Sequence, residues 1–320
     1  MKRLLTIALV LLGFFGSSPG RAEDYPSHPI RLIVGFPPGS AADITARLVG
    51  EQMSQSLGQQ VVIETRPGAG SAIAAEYVAR APADGYMLYI GTSSNVSDDV
   101  TNPNLRFDFS KDFAPITLLT GLPLVLAVNP SLGVSSFDQL IALARSKPGE
   151  LTYASVGVGT VPQLACELIS IREKIKLVHV PYPGSPPAVT DLLAGRVSMM
   201  LGVASTIMPH VKSGKLKAFA VSTAKRSRLV PDLPTIQELG VPDFDATVWF
   251  GLMAPAGTPR PIIDKLAAAA NAALQSPQTI SKLETAQFEP FGGSPADFAA
   301  FIAHETAKWR MVAEATGLRK

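Results

Sequence analysis

The chain has 320 residues, of which 47% are hydrophobic and 17% are charged, and its formal net charge at pH 7 is +2. This composition is typical of a well-packed globular protein long enough for two lobes, and it provides no basic surface for nucleic acid or anionic lipid. Because Cys166 is the only cysteine, an internal disulfide is excluded, and we interpret this residue as small, apolar and buried.

The first 22 residues have the layout of a secretory signal peptide. Lys2 and Arg3 precede an apolar run at 4–15, which is too short for a transmembrane helix, and small residues lead to Ala22. Cleavage after Ala22 would leave 25 of the 28 basic residues against 26 acidic ones, so that the formal charge becomes −1. We therefore expect a soluble exported protein.

The segment 31–47 predicts a buried strand, a turn and a capped helix in succession. Pro37 and Pro38 keep the turn out of the helix, Ser40 is the predicted N-cap, and Asp43 is its predicted capping-box partner. A helix N-terminus carries unpaired amide donors and a partial positive charge, which attract an anion. The same residues also fit a plain strand–helix connection without a ligand.

Similar arrangements follow along the chain. Ser71 and Ser185 are predicted to cap helices, and Thr160 pairs with Gln163 in a predicted capping box. A polar loop at 91–95 follows another strand. The alternation of strands and helices predicts a mostly parallel α/β sheet, in which ligands bind beyond the carboxyl ends of the strands.

Two long apolar segments, 122–128 and 247–253, are predicted to cross between two halves of the molecule. They divide the mature chain into lobe one, residues 23–123 plus 247–320, and lobe two, residues 124–246. Two connections allow the lobes to close on a central cleft by a hinge motion.

The chain lacks the sequence motifs of common active sites. Ser155 lacks the glycine that a nucleophile elbow needs two residues earlier, and Pro162 occupies the third glycine position of a dinucleotide fingerprint that begins at Gly157. The four histidines show no metal-like spacing, and we interpret them as surface or hydrogen-bonded structural residues. Asp43 would fit a general base, but a capping role explains it more simply. We therefore predict no catalytic residue, no cofactor and no metal ion.

Nine short motifs follow one another from Tyr25 to the C-terminal half, among them Phe36-Pro-Pro-Gly-Ser-Ala-Ala-Asp43 and Arg66-Pro-Gly-Ala-Gly70. The nine occupy residues 25–34, 36–43, 66–70, 84–86, 153–159, 180–184, 191–197, 224–235 and 249–259. In order and spacing they resemble the substrate-binding proteins of tripartite tricarboxylate transporters, also called Bug-type receptors.

The resemblance implies a two-lobed periplasmic-binding-protein fold of the Venus flytrap, type II-like class, with the two crossing strands as its hinge. It implies a monomeric periplasmic receptor that closes on a small organic acid and works with membrane transporter subunits. Carried onto this sequence, it places ligand-binding residues in loops of both lobes. These residues are Phe36, Pro38, Ser40, Ala41, Asp43, Gly70, Ser71, Thr92, Ser93, Ser155, Gly157, Gly159, Thr160, Tyr182 and Gly184.

The chain departs from the family pattern at positions that bear on specificity. Ser40 and Ser71 stand where the family commonly has a second glycine, and Gln163 stands where a histidine is common. Ser198 and Gly202 replace the usual acidic residues, which disfavours recognition of a ligand's ammonium group. We therefore expect a mono- or dicarboxylate, aromatic acids included, rather than an amino acid.

Two other functions stay open at this stage. One is a ligand-dependent sensor subunit for a membrane kinase, which the absence of neighbouring transporter genes would favour. The other is a periplasmic hydrolase or lyase, which turnover of a bound acid that is lost on Asp43→Asn would support.

Overall fold

The computed structural model describes residues 25–318, so the predicted signal peptide at 1–22 lies outside the described residues. The strands are β1 Ile30–Val34, β2 Val61–Thr65, β3 Met87–Thr92, β4 Phe113–Val128, β5 Thr152–Ser155, β6 Val178–Pro181, β7 Met199–Val203, β8 Lys217–Val221, β9 Thr247–Pro255 and β10 Glu289–Pro290. The helices are α1 Ala41–Leu57, α2 Ala72–Ala79, α3 Ser93–Thr101, α4 Phe137–Ser146, α5 Val161–Glu173, α6 Ser185–Leu193, α7 Ala204–Lys212, α8 Arg260–Gln275, α9 Pro277–Thr285 and α10 Pro295–Thr316. Short 3-10 turns cover Ala69–Ser71 and Pro130–Leu132.

The strands form one mixed sheet that passes through both lobes. Its order is β2-β1-β3-β9-β4 in lobe one, with β10 on the free edge of β4, and β8-β4-β7-β5-β6 in lobe two. Strands β1, β2 and β3 are parallel, as are β5, β6 and β7, whereas β4 and β9 run antiparallel to their neighbours. The two-lobed α/β fold is therefore confirmed, but the expectation of a mostly parallel sheet fails at its centre.

Helices cover both faces of the lobe-one sheet because successive residues of its strands point to opposite sides. Ile30 and Leu32 of β1 are buried with residues of α1 and α8. Ile33 of the same strand is buried on the other face with residues of α2, α3 and α10. Helices thus pack on both faces of the lobe-one sheet, and the loops at the strand ends are left at its edges.

Strand β4 passes through both lobes, and its pairing changes at the crossing. It pairs with β9 as far as Pro123 and with β7 from Leu124 onward. The buried hydroxyl of Ser222 accepts a hydrogen bond from the Leu124 amide at 3.1 Å and donates one to the Ala246 carbonyl. Because Ala246 directly precedes β9, this single side chain ties the two crossings together. The boundaries of the lobes, residues 23–123 plus 247–320 and residues 124–246, stay predictions.

A buried ion pair fixes α10 to the start of β9. Glu305 and Lys308 form an ion pair in which the side chains are only 2% and 7% exposed. The indole nitrogens of Trp249 and Trp309 both donate to Oε2 of Glu305, at 3.3 and 3.0 Å. Lys308 also donates to the Asp245 carbonyl at 2.6 Å. The network therefore orders the segment through which the chain returns from lobe two.

Candidate functional site

Four helix N-termini meet at a cavity of about 180 Å³ between the lobes. Lobe one contributes the first two residues of α3 and a residue of β9, and lobe two contributes the remaining lining. The lining residues are Ser93, Ser94, Val156, Thr160, Val161, Pro162, Ser185, Met200, Gly202, Val203 and Val248. They include the first residues of α3, α5 and α6 and the residue that precedes α7.

The cavity lining combines a positive field with uncharged groups. None of the lining residues is charged. Helix N-termini carry partial positive charge and unpaired amide donors, so their convergence favours an anion. A hollow of about 480 Å³ beside α2 is larger, but it is lined by Glu76, Tyr77 and Arg80 and receives no such set of helix ends. We therefore take the interlobe cavity as the functional site.

Helix α3 is the element that the sequence interpretation missed, since the segment 91–95 was expected to be only a polar loop. The Thr92 amide donates to Oδ1 of Asn95 at 2.9 Å, which closes the first turn. The Tyr89 hydroxyl donates to the same oxygen at 3.0 Å and lies 2.5 Å from the Ser71 hydroxyl. These buried bonds fix the start of α3 beside the cavity.

Ser71 occupies the predicted N-cap position of α2 but makes no capping hydrogen bond, which corrects part of that prediction. Its backbone is left-handed with φ of 86°, and its buried hydroxyl pairs with Tyr89 instead. A Cβ on Gly35 would lie 1.9 Å from the Ser71 hydroxyl oxygen, so glycine is required for the two loops of lobe one to approach each other. The loops at 35–40 and 68–71 are therefore neighbours, as their predicted place at one sheet edge requires.

The first loop is held by Asp43 in a way that differs from the predicted capping box. Ser40 does cap α1, because its hydroxyl accepts from the Asp43 amide at 3.3 Å. The Asp43 carboxylate, however, accepts from the Gly39 amide at 2.8 Å and from Arg47 at 2.9 Å. Burial opposes its ionised form, but the bonds from Arg47 and Gly39 outweigh burial and hold the pKa of Asp43 below its usual range. Its other oxygen, Oδ1, is buried without a hydrogen-bond partner among the described residues.

The second-lobe loop repeats this arrangement. The Gly159 amide donates to Oε1 of Gln163 at 2.7 Å, four residues apart like Gly39 and Asp43. Thr160 is the N-cap residue of α5, but its hydroxyl makes no capping bond and donates to the Gly157 carbonyl at 2.7 Å instead. The predicted capping box between Thr160 and Gln163 is therefore wrong in detail. Ser185 likewise makes no capping bond, and Gly184 is the N-cap of α6.

Ser155 is buried and engaged within its own loop. Its side chain donates to the Gly157 carbonyl at 2.9 Å and lies 2.6 Å from Nε2 of His179. The residue is 0% exposed and is not among the residues that line the interlobe cavity. His179 stacks on Tyr153 with ring centroids 5.0 Å apart. His179 thus has the hydrogen-bonded structural role that the sequence analysis allowed for the histidines.

Burial lowers the pKa of His179. Because the unfolded chain then binds the extra proton more readily, stability should rise with pH and fall as pH drops below about 6.5. We expect the urea midpoint of the wild type to fall more than that of His179→Gln between pH 7.5 and pH 5.5. His304→Gln is the control, because it removes a histidine that is exposed. Equal midpoint losses in the wild type and in His179→Gln would contradict the prediction.

The structure brings together part of the predicted ligand-binding set. Ser93 and Thr160 line the cavity, and Thr92 and Gly184 each directly precede a lining residue. A methyl group on Gly159 would lie 3.4 Å from the Thr101 hydroxyl, so the second-lobe loop also reaches α3. The other predicted residues do not line this cavity: Phe36, Pro38, Ser40, Ala41, Asp43, Gly70, Ser71, Ser155, Gly157, Gly159 and Tyr182. Their contact with a ligand stays a prediction, and Tyr182 instead donates to Asp191 at 2.7 Å.

Several lining residues were missed by the sequence interpretation. Ser94 is the second residue of α3, Ser185 is the first residue of α6, and Val203 ends β7 immediately before α7. A signal for α3 was present, since Thr92 followed by Asn95 three residues later matches a capping pattern. Between residues 25 and 318, no group of three or more histidine, cysteine or acidic side chains is arranged to hold a metal ion. Over the same range no helix combines the length and apolar character needed to span a bilayer.

Comparison with known proteins gives a consistent match along nearly the whole chain. Residues 45–318 match the family model described as the tripartite tricarboxylate transporter family receptor. The Bordetella pertussis protein BugT is 36% identical over 322 residues, which cover 100% of this chain and 99% of BugT.

Two solved structures with bound acids are similar in sequence and fold. The R. palustris protein Rpa4515 with adipate is 36% identical, has a TM-score of 0.75, and the match covers 92% of this chain and 99% of that one. MatC from Rhodopseudomonas palustris with bound malate is 32% identical, has a TM-score of 0.71, and the match covers 90% of this chain and 99% of that one.

Proposed function

Because the chain belongs to the tripartite tricarboxylate transporter receptor family, we propose that its lobes close on a small organic carboxylate in the periplasm. The acid is then passed to the membrane subunits of such a transporter, which we propose as partners in preference to a sensor kinase. We further propose that the receptor acts as a monomer after cleavage following Ala22. Adipate and malate in the two similar structures support a carboxylate as the ligand class.

The convergence of four helix N-termini on an uncharged cavity carries this proposal. A carboxylate held there receives amide and hydroxyl donors from both lobes, so binding and closure are coupled. Each hydrogen bond to a charged oxygen contributes about 1.5–3 kcal/mol. Several such bonds, less the cost of ordering the ligand and lobes, correspond to micromolar affinity at about −8 kcal/mol.

A binding role without turnover accords with the geometry of a serine–histidine pair near the site. Ser155 and His179 are hydrogen bonded, but the serine is fully buried and donates to a carbonyl of its own loop. A buried hydroxyl that already donates to a carbonyl is poorly placed to act as a nucleophile on a bound acid. We therefore propose that the bound acid is released unchanged.

Calorimetry on the mature protein, residues 23–320, tests the proposal. We expect at least one of adipate, malate, succinate and benzoate to bind with micromolar affinity and to compact the protein in small-angle X-ray scattering. Absence of binding by all four acids would contradict it. Disappearance of a bound acid in a time course followed by NMR would instead support a hydrolase or lyase.

A further inference from the structure

One face of α3 borders both lobes at the cleft. Ser94, Asp98 and Thr101 are spaced four and three residues apart, so they lie on the same side of the helix. Ser94 lines the interlobe cavity, and Thr101 lies against the Gly159 loop of lobe two. Asp98 therefore lies between these two points, about 6 Å along the helix from Ser94 at 1.5 Å per residue.

The carboxylate of Asp98 faces the glycine loop of lobe one. A methyl group on Gly70 would lie 3.1 Å from Oδ2 of Asp98. Because Gly70 has no side chain, it does not cover the carboxylate that lies beside it. Asp98 is only partly buried, so its oxygens stay accessible to a ligand group at the cleft.

Asp98 has no cation or hydrogen-bond donor as a partner among the described residues. The titratable group that faces it is the Tyr89 hydroxyl from β3, which is already bonded to Ser71 and Asn95. Charged groups of the neighbouring helices have other partners. Arg310 of α10 interacts electrostatically with Asp99, and Glu167 of α5 accepts a hydrogen bond from Tyr153. Burial without a compensating donor raises the pKa of Asp98 to about 6, which leaves the carboxyl mostly ionised at neutral pH.

The helix itself does not account for this aspartate. Asp98 lies in the second half of α3, where the helix field disfavours negative charge, and α3 has no basic residue in its last turn. An unpaired, half-buried carboxylate lowers the stability of the free protein. A ligand group that pairs with it supplies a physical reason for its presence.

We propose that Asp98 determines ligand specificity: it accepts a hydrogen bond from a hydroxyl or ammonium group at the far end of the bound acid, and it disfavours a second ionised carboxylate there. The proposal rests on the proposed function, since it assumes that the first carboxylate occupies the uncharged cavity. It also revises the expectation, drawn from Ser198 and Gly202, that the receptor does not recognise a ligand's ammonium group. The acidic group that those lobe-two positions lack is supplied from lobe one.

Three six-carbon acids that differ only at the far end test the proposal: adipate, 6-hydroxyhexanoate and 6-aminohexanoate. We expect wild-type protein at pH 7.5 to bind the hydroxy and amino acids at least tenfold more tightly than adipate. Asp98→Asn should reduce that preference by at least tenfold. Asp98→Ser serves as a second neutral replacement if the asparagine variant folds poorly.

Asp99→Asn is the matched control, because Asp99 is adjacent in sequence but interacts with Asp108 and Arg310 instead of facing the cleft. It should retain the wild-type preference. The melting temperature of ligand-free Asp98→Asn should exceed that of the wild type, whereas a structural carboxylate would give the opposite shift. If Asp98→Asn still binds all three acids and keeps the preference for the hydroxy and amino acids over adipate, the role of Asp98 is overturned and the proposed function stands. If neither these acids nor shorter carboxylates bind to the wild type, the proposed function fails with it.

Discussion

Replacing Ser94 by aspartate should weaken carboxylate binding at least 100-fold. Ser94 lines the interlobe cavity, whose lining contains no cation to neutralise an added negative charge. Two like charges about 5 Å apart repel by about 3 kcal/mol at an effective dielectric constant of 20. That free energy corresponds to slightly more than a 100-fold loss in affinity. Calorimetric titration with whichever acid binds the wild type measures it.

The substitution is chosen so that it should not harm the fold. Ser94 is the second residue of α3, where a negative charge interacts favourably with the helix dipole. Repulsion from Asp98, one helical turn away, offsets this gain, so we expect Ser94→Asp to melt close to the wild-type temperature. Ser94→Asn has a similar shape without the charge and should lose less than tenfold in affinity. Wild-type affinity in Ser94→Asp would show that the carboxylate binds elsewhere.

Lys308→Met should lower the free energy of unfolding by about 3–5 kcal/mol, since it leaves Glu305 buried without its cation. The two tryptophan indoles would still donate to Glu305, but neutral donors do not replace the lost charge. The bond from Lys308 to the Asp245 carbonyl is lost as well. Urea unfolding followed by tryptophan fluorescence measures the change directly, because Trp249 and Trp309 belong to the same network.

Two further variants separate burial from charge. In Lys308→Met combined with Glu305→Gln, both charges are absent and the amide oxygen still accepts from the indoles, so most of the lost stability should return. Lys282→Met removes a partner of Glu51 from a pair whose side chains are 43% and 52% exposed. It should cost at most about 1 kcal/mol. Equal losses in Lys282→Met and Lys308→Met would contradict the assigned role of burial.

The fold was largely predictable from local patterns. Short apolar runs marked the strands, and Gly58 ends α1 in the left-handed conformation expected of a helix stop. Strand β4 was harder, because its first half contains Pro115 and two register shifts and lacks a continuous apolar run. Helix α3 was missed because serine, asparagine and aspartate form helices weakly in isolation. Packing against neighbouring elements stabilises it instead.

The site was predictable at the level of loops but not of individual contacts. One of the helix starts at the cavity, that of α5, follows the second-lobe loop that the sequence patterns identified. Which hydroxyl caps a helix was not decided locally: Ser71 bonds to Tyr89, which lies 18 residues away. Asp98 was not predicted, because its raised pKa depends on burial beside the loop of Gly70 and on the absence of a compensating donor among residues 25–318. Both depend on tertiary neighbours that a sequence pattern does not contain.

Pro123 and Thr247 are directly opposite each other on adjacent antiparallel strands, and the 123 residues between them are the predicted second lobe. A gap of one strand spacing, about 5 Å, thus admits the whole insertion and returns the chain to its starting point. If the residues between them were removed, a two-residue turn would connect Pro123 to Thr247 as an ordinary β-hairpin. The order of the strands in lobe one therefore does not depend on the residues between these two positions, because β4 and β9 stay neighbours without them.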